Sequence, residues 1–82
     1  MSTKLYVGNL PWTFSNNQLL DTFKPHGNVV SAKVVTDKES GKSRGFGFVE
    51  MENDNDANSA IKALNGSELS GRKLVVAAAK AS

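Results

Sequence analysis

From Lys4 to Asn9 apolar positions alternate with others, Leu5 and Val7 on one face and Tyr6 on the opposite one, which predicts a strand. Gly8-Asn9-Leu10-Pro11-Trp12 then interrupts the alternation as a loop. Beyond Ser15 the spacing lengthens: Leu19, Leu20 and Phe23 make a helical stripe that Pro25 and Gly27 end. Ser15 and Gln18 have the spacing of a capping box, in which hydroxyl and side-chain amide satisfy free groups of the first turn. Val29 to Thr36 is β-branched and predicts a second strand. Asp37 to Ser43 is a polar loop, and Arg44 to Met51 returns to period two. Asn53 to Asp56 offers several helix caps, and Ala57, Ala60, Ile61 and Leu64 mark one face of a second helix. Asn65-Gly66 suits a hairpin turn, but after a helical stripe Gly66 fits better as the residue just past the helix end. Ser70-Gly71 is a further turn, and Leu74 with Val76 marks a last strand.

The order is therefore strand, helix, strand, strand, helix, strand. Neither helix has a large second apolar face, so both should cover the same side of one sheet. Right-handed crossovers turn both strand–helix–strand units the same way. The expected fold class is α+β: a four-stranded antiparallel sheet with two helices on one face and the other face bare.

Within the third strand, period two puts Arg44, Phe46, Phe48 and Glu50 on one side. Gly45, Gly47, Val49 and Met51 point to the other. Burying the two rings would desolvate Arg44 and Glu50 along with them, which is costly. Exposing the rings on a flat sheet beside a guanidinium costs less, and nucleobases and phosphates bind such a surface. Met51 then faces the core.

The same residues resemble the longer consensus of the RNA recognition motif, K/R-G-F/Y-G/A-F-V-x-F/Y, and fit seven of its eight positions. The departure is Met51, where a flexible apolar side chain stands in for a ring. Leu5-Tyr6-Val7-Gly8-Asn9-Leu10 is similar to the family's shorter consensus, about forty residues upstream. The resemblance runs from roughly Lys4 to Ala78 and implies a ferredoxin-like βαββαβ sandwich with the two motif strands central. It implies a small stand-alone protein, one domain over residues 1–82, binding as a monomer. The implied partner is single-stranded RNA, whose unstacked bases present their faces; single-stranded DNA is the alternative.

Carried over residue by residue, Tyr6, Phe46 and Phe48 match the family's base-stacking positions. Arg44 matches a phosphate-contacting position, with an ion pair to Glu50 as the other reading. Asn9 fits the short motif, or else fixes the turn. Lys33 and Val35 share the outer face if Ala32 and Val34 pack inward, as do Lys73, Val75 and Ala77 if Leu74 and Val76 are core. Lys4, Lys33 and Lys73 would ring the platform, or stand as solvated surface lysines. The loop from Lys38 to Ser43 would bring Lys42 against a bound strand, or is a solvated turn. Trp12 reads as a packing residue beside the platform. Residues past Ala77 contact bases in many relatives; here they offer backbone groups and Lys80.

Composition narrows the function classes. The chain has 82 residues, one histidine and no cysteine. Disulfides, thiolate metal sites and thiol catalysis are excluded, and His26 alone cannot build a zinc cluster. No metal or cofactor is expected. No signal-peptide pattern and no apolar run near the roughly 20 residues of a membrane span are present. The expectation is an intracellular protein of a reducing compartment, the cytoplasm first, with nucleus or organelle as alternatives and no membrane partner. Charge is uneven: Lys4, Lys24, Lys33, Lys38, Lys42 and Arg44 outnumber the acids before residue 50. Glu50, Glu52, Asp54, Asp56 and Glu68 then face a single cation, Lys62, before Arg72 restores positive charge. If the acidic block is a helix behind the sheet, the basic side faces a polyanion; mixed charge for solubility is the plainer account.

Two other classes compete. A protein-interaction module on the same fold typically loses the aromatic pair that this chain keeps. An acylphosphatase-type enzyme needs an arginine in the loop after the first strand, and Gly8 to Trp12 has none. Without paired carboxylates facing a cleft, no catalysis is expected. Gly41-Lys42-Ser43 lacks the earlier glycine of a phosphate-binding loop, and Glu50 replaces the third glycine of a dinucleotide fingerprint.

Overall fold

The computed structural model describes residues 3–11, 13–37, 39–41, 43–69 and 71–79; the side chains of Ser43, Arg44 and Leu69 lie outside that description. Thr3–Gly8 forms β1, Asn16–Phe23 α1, Val29–Thr36 β2, Ser43–Met51 β3 and Asp54–Leu64 α2. Glu68–Leu69, Arg72–Lys73 and Val75–Ala78 form β4, β5 and β6. The four-stranded sheet runs β2-β3-β1-β6, every pairing antiparallel, so the two motif strands are central. This is the ferredoxin-like α+β sandwich.

Local chemistry accounts for the elements. At Ser15 the hydroxyl accepts from the Gln18 amide at 3.2 Å, and Gln18 Oε1 accepts from the Ser15 amide at 2.8 Å, completing the capping box. A single 3₁₀ turn, Lys24–His26, follows α1, with Pro25 inside it. Asn53 caps α2 without a side-chain bond to the helix amides. Thr3 Oγ1 donates to Asp54 in the first turn of α2, joining β1 to that helix. On the sheet's outer strands, the Val34 amide donates to Asn16 Oδ1 at 2.7 Å and the Val76 amide to Asn65 Oδ1 at 3.1 Å.

The core lies between sheet and helices. Leu5 and Val7 of β1, Val34 of β2, Val49 and Met51 of β3 and Val76 of β6 meet Leu19, Phe23, Ala57 and Ala60 from the helices. Met51 is fully buried, as its parity required. Leu20 is only half-buried, at the margin of its stripe.

Two expectations are corrected. The first strand ends at Gly8, because Asn9 turns the chain with a φ of 59°. Leu10 does lie in the loop that follows, where its side chain is buried in the core and its amide donates to Gly45 O at 2.8 Å. The last strand is not continuous. Leu74 is buried between β5 and β6, and β4 with β5 makes a separate small hairpin. Gly66 does follow the helix with φ +80°, but its amide bonds to Leu74 O, so the hairpin's far end takes the place of a helix carbonyl.

Candidate nucleic-acid interface

Side chains directly opposite in an antiparallel pair lie on one face. Tyr6 is opposite Phe48, and Gly8 opposite Phe46, so neighbouring central strands bring the three rings together. The centroids form a near-equilateral triangle, 5.9 Å from Tyr6 to Phe46, 6.0 Å from Tyr6 to Phe48 and 6.2 Å between the phenylalanines. The pairs are tilted or edge-on, the arrangement ring quadrupoles favour. All three rings are half-buried, packed edge against edge with part of each in solvent. Beside them on β6 Val75 is 47% exposed and Ala77 is exposed.

Cations lie along this surface. Lys4 Nζ stands 6.0 Å from the Phe48 centroid, at the outer limit of a cation–π contact. Lys33 is opposite Phe48 on the other flank, exposed, while Val34 beside it is core and Ala32 packs against the core. Lys73 is exposed too, but it stands on β5, opposite Glu68 in the separate hairpin, so the parity of Leu74 and Val76 does not carry it onto the four-stranded sheet. Glu50 is opposite Lys4. Lys42, Lys38 and Trp12 lie outside the described residues.

The start of β3 departs from simple alternation. Alternation holds from Phe46 to Met51, but the β2–β3 register shifts between Val34/Gly47 and Thr36/Ser43, and Gly45 takes φ +86° inside that irregularity. Such a bulge needs a residue free of Cβ strain and breaks period two. Counting by twos therefore does not carry the face of Phe46 back to Arg44, whose side chain is outside the described set.

Asn9 is tied to protein. Its Nδ2 donates to Lys73 O at 2.7 Å, and Arg72 reaches its Oδ1 at 3.5 Å. The asparagine pins the loop after β1 against β5. Sequence reasoning passed over Gly8. It lies on the ring side of β1 but is buried, because the Tyr6 ring covers it. The signal was available, since Tyr6 and Gly8 are two residues apart on one strand.

Among the described residues no group of three or more His, Cys, Asp or Glu could hold a metal ion, and no helix is long and apolar enough to cross a membrane.

The RNA recognition motif model matches residues 5–75. The chain is 53% identical over 73 residues to the chloroplastic RNA-binding protein CP31B of Arabidopsis thaliana, covering 89% of this chain and 25% of that protein. It is 47% identical over 76 residues to the mitochondrial glycine-rich RNA-binding protein 2 of the same plant, covering 93% and 48%. Among solved structures, RNA binding protein PG1 superposes with a TM-score of 0.91 at 49% identity, covering 94% of this chain and 93% of that one. An Sxl-lethal protein/RNA complex superposes at 0.89 with 38% identity, covering 94% and 47%. The chain belongs to the RNA recognition motif family. It spans a quarter to about half of these two relatives. Their names refer to chloroplast and mitochondrion, and give the expectation of a cytoplasmic protein no support.

Proposed function

We propose that the outer sheet face binds single-stranded RNA, with bases stacked on Tyr6, Phe46 and Phe48. Lys4, Lys33 and Lys73, together with Arg44 and Lys42, contact phosphates. The observation that carries this reading is the cluster of three solvent-touching rings at about 6 Å spacing on the sheet face away from both helices. A helix-free aromatic surface leaves ring faces for bases, and flanking cations favour a polyanion. The names of the relatives and an RNA complex among the structural neighbours support it. Asn9 acts in this reading by fixing the loop. The chain works as one monomeric binding domain without cofactor or catalytic step.

Each stack is worth about 1–3 kcal/mol, and ordering a flexible strand offsets part of that. A dissociation constant on the order of micromolar follows, about −8 kcal/mol. Titrating a labelled random pool of short single-stranded RNA, and the same pool as DNA, tests the reading. Micromolar binding that Phe46→Ala weakens supports it; equal affinity of parent and variant refutes it. The DNA arm tells whether the 2′-hydroxyl contributes.

A further inference from the structure

We propose that Gly8 is a positioning residue for the aromatic platform: its missing side chain lets the Tyr6 ring lie down along β1 and close against Phe46. The inference rests on the RNA reading above and assigns a role within that site.

Across the β1–β3 pair, Tyr6 is opposite Phe48 and only diagonal to Phe46. Yet its ring stands as near to Phe46, at 5.9 Å, as to Phe48, at 6.0 Å. The ring therefore leans toward position 8. A Cβ placed on Gly8 would stand 2.7 Å from the Tyr6 hydroxyl, 2.9 Å from Cε1 and 3.0 Å from Cζ, closer than real side chains approach. The Tyr6–Phe46 planes also meet at 32°, against 65° and 88° for the other pairs. Tyr6 and Phe46 thus form the flattest part of the platform, suited to bases that stack face-on.

A methyl group at position 8 would force the ring to swing away from Phe46. The backbone at position 8 raises no objection to it. Gly8 is absent from the positive-φ positions, and the three nearest atoms to its would-be Cβ all belong to the tip of one side chain. Leu5 and Val7 are on the opposite face.

The test is a double-mutant cycle on the full chain, using parent, Gly8→Ala, Tyr6→Ala and the double variant against the labelled random RNA pool. Gly8→Ala should bind ~5- to 10-fold more weakly with an unchanged melting temperature, and change affinity by less than about twofold once Tyr6 is alanine. NMR of the free proteins supplies a readout that a structural role would not move. The Gly8 α-proton resonances should carry a Tyr6 ring-current shift that Tyr6→Ala removes. Phe46 ring signals should move in Gly8→Ala while Leu5 and Val49 methyls stay. Unweakened binding by Gly8→Ala, or an equal loss in both Tyr6 backgrounds, overturns the proposal while the Phe46→Ala penalty keeps the RNA reading. A parent that binds no RNA overturns both.

Discussion

On the inner face of β1 and β3, Leu5, Val7, Val49 and Met51 have no exposure at all. On the outer face of the same strands Tyr6, Phe46 and Phe48 keep part of each ring in water. Both faces are apolar, and only one is covered. The inner set is aliphatic and meets helix residues such as Leu19, Phe23, Ala57 and Ala60. The outer set is aromatic, its rings supporting one another edge to face, with cations at the margin. Aliphatic packing stabilises through area removed from water. Rings also keep a flat, polarisable face that stays useful when uncovered. In the proposed reading, one sheet therefore separates stability from recognition by side-chain parity.

That separation can be broken most forcefully from inside. Leu5→Ala should destabilise the fold by about 2–5 kcal/mol, through lost burial and a cavity, and Val49→Ala by about 1–3. Urea unfolding measures the loss, while affinity per folded molecule stays at the parent value; an unshifted midpoint would mean that β1 and β3 are in another register. From outside, Phe46→Ala or Phe48→Ala should cost about 1–3 kcal/mol of RNA affinity and leave circular dichroism unchanged. Unfolding by either would show that the outer rings belong to the core after all. Ser15→Ala, in the cap of α1 and on neither sheet face, should lower stability by about 1 kcal/mol through loss of the cap, with RNA affinity intact.

The smallest effect sharpens the outer face itself. With two to three phosphate contacts to a single strand, log affinity should fall against log salt with a slope of about −1.5 to −2. Arg44→Ala or Lys33→Ala should each make the slope shallower by about 0.7, whereas Phe46→Ala should shift affinity at every salt concentration and leave the slope alone. Titrations across a salt series separate stacking from a generic basic patch, in which the ring variant would do little.

Much of this arrangement is legible along the chain because its causes are local. The Ser15–Gln18 box, the stripe of Ala57, Ala60, Ile61 and Leu64, and the inward Met51 depend on spacing within one element. What escaped depends on partners distant in sequence. Leu10 is core because its amide finds Gly45, 35 positions onward. Gly45 breaks the alternation before Phe46 because β2 pairs out of step there, which no pattern within β3 can reveal. The β4–β5 hairpin has two-residue strands, too short to alternate. Among the candidate contacts, period two placed the three rings together, and it could place neither Asn9's bond to Lys73 nor the Tyr6 ring above Gly8.

The two asparagine carbonyls at the flanks have a consequence for the protein in a crowded solution. A strand at the margin of a sheet is a template on which another chain can grow, and its unpaired amides are the groups that recruit it. Asn16 occupies one such amide on β2, and Asn65 one on β6, each from the end of a helix. Both margins are thereby blunted by neutral side chains that add no charge to repel a polyanion. Pairing with another extended chain, and self-association into ribbons with it, is discouraged at those two places.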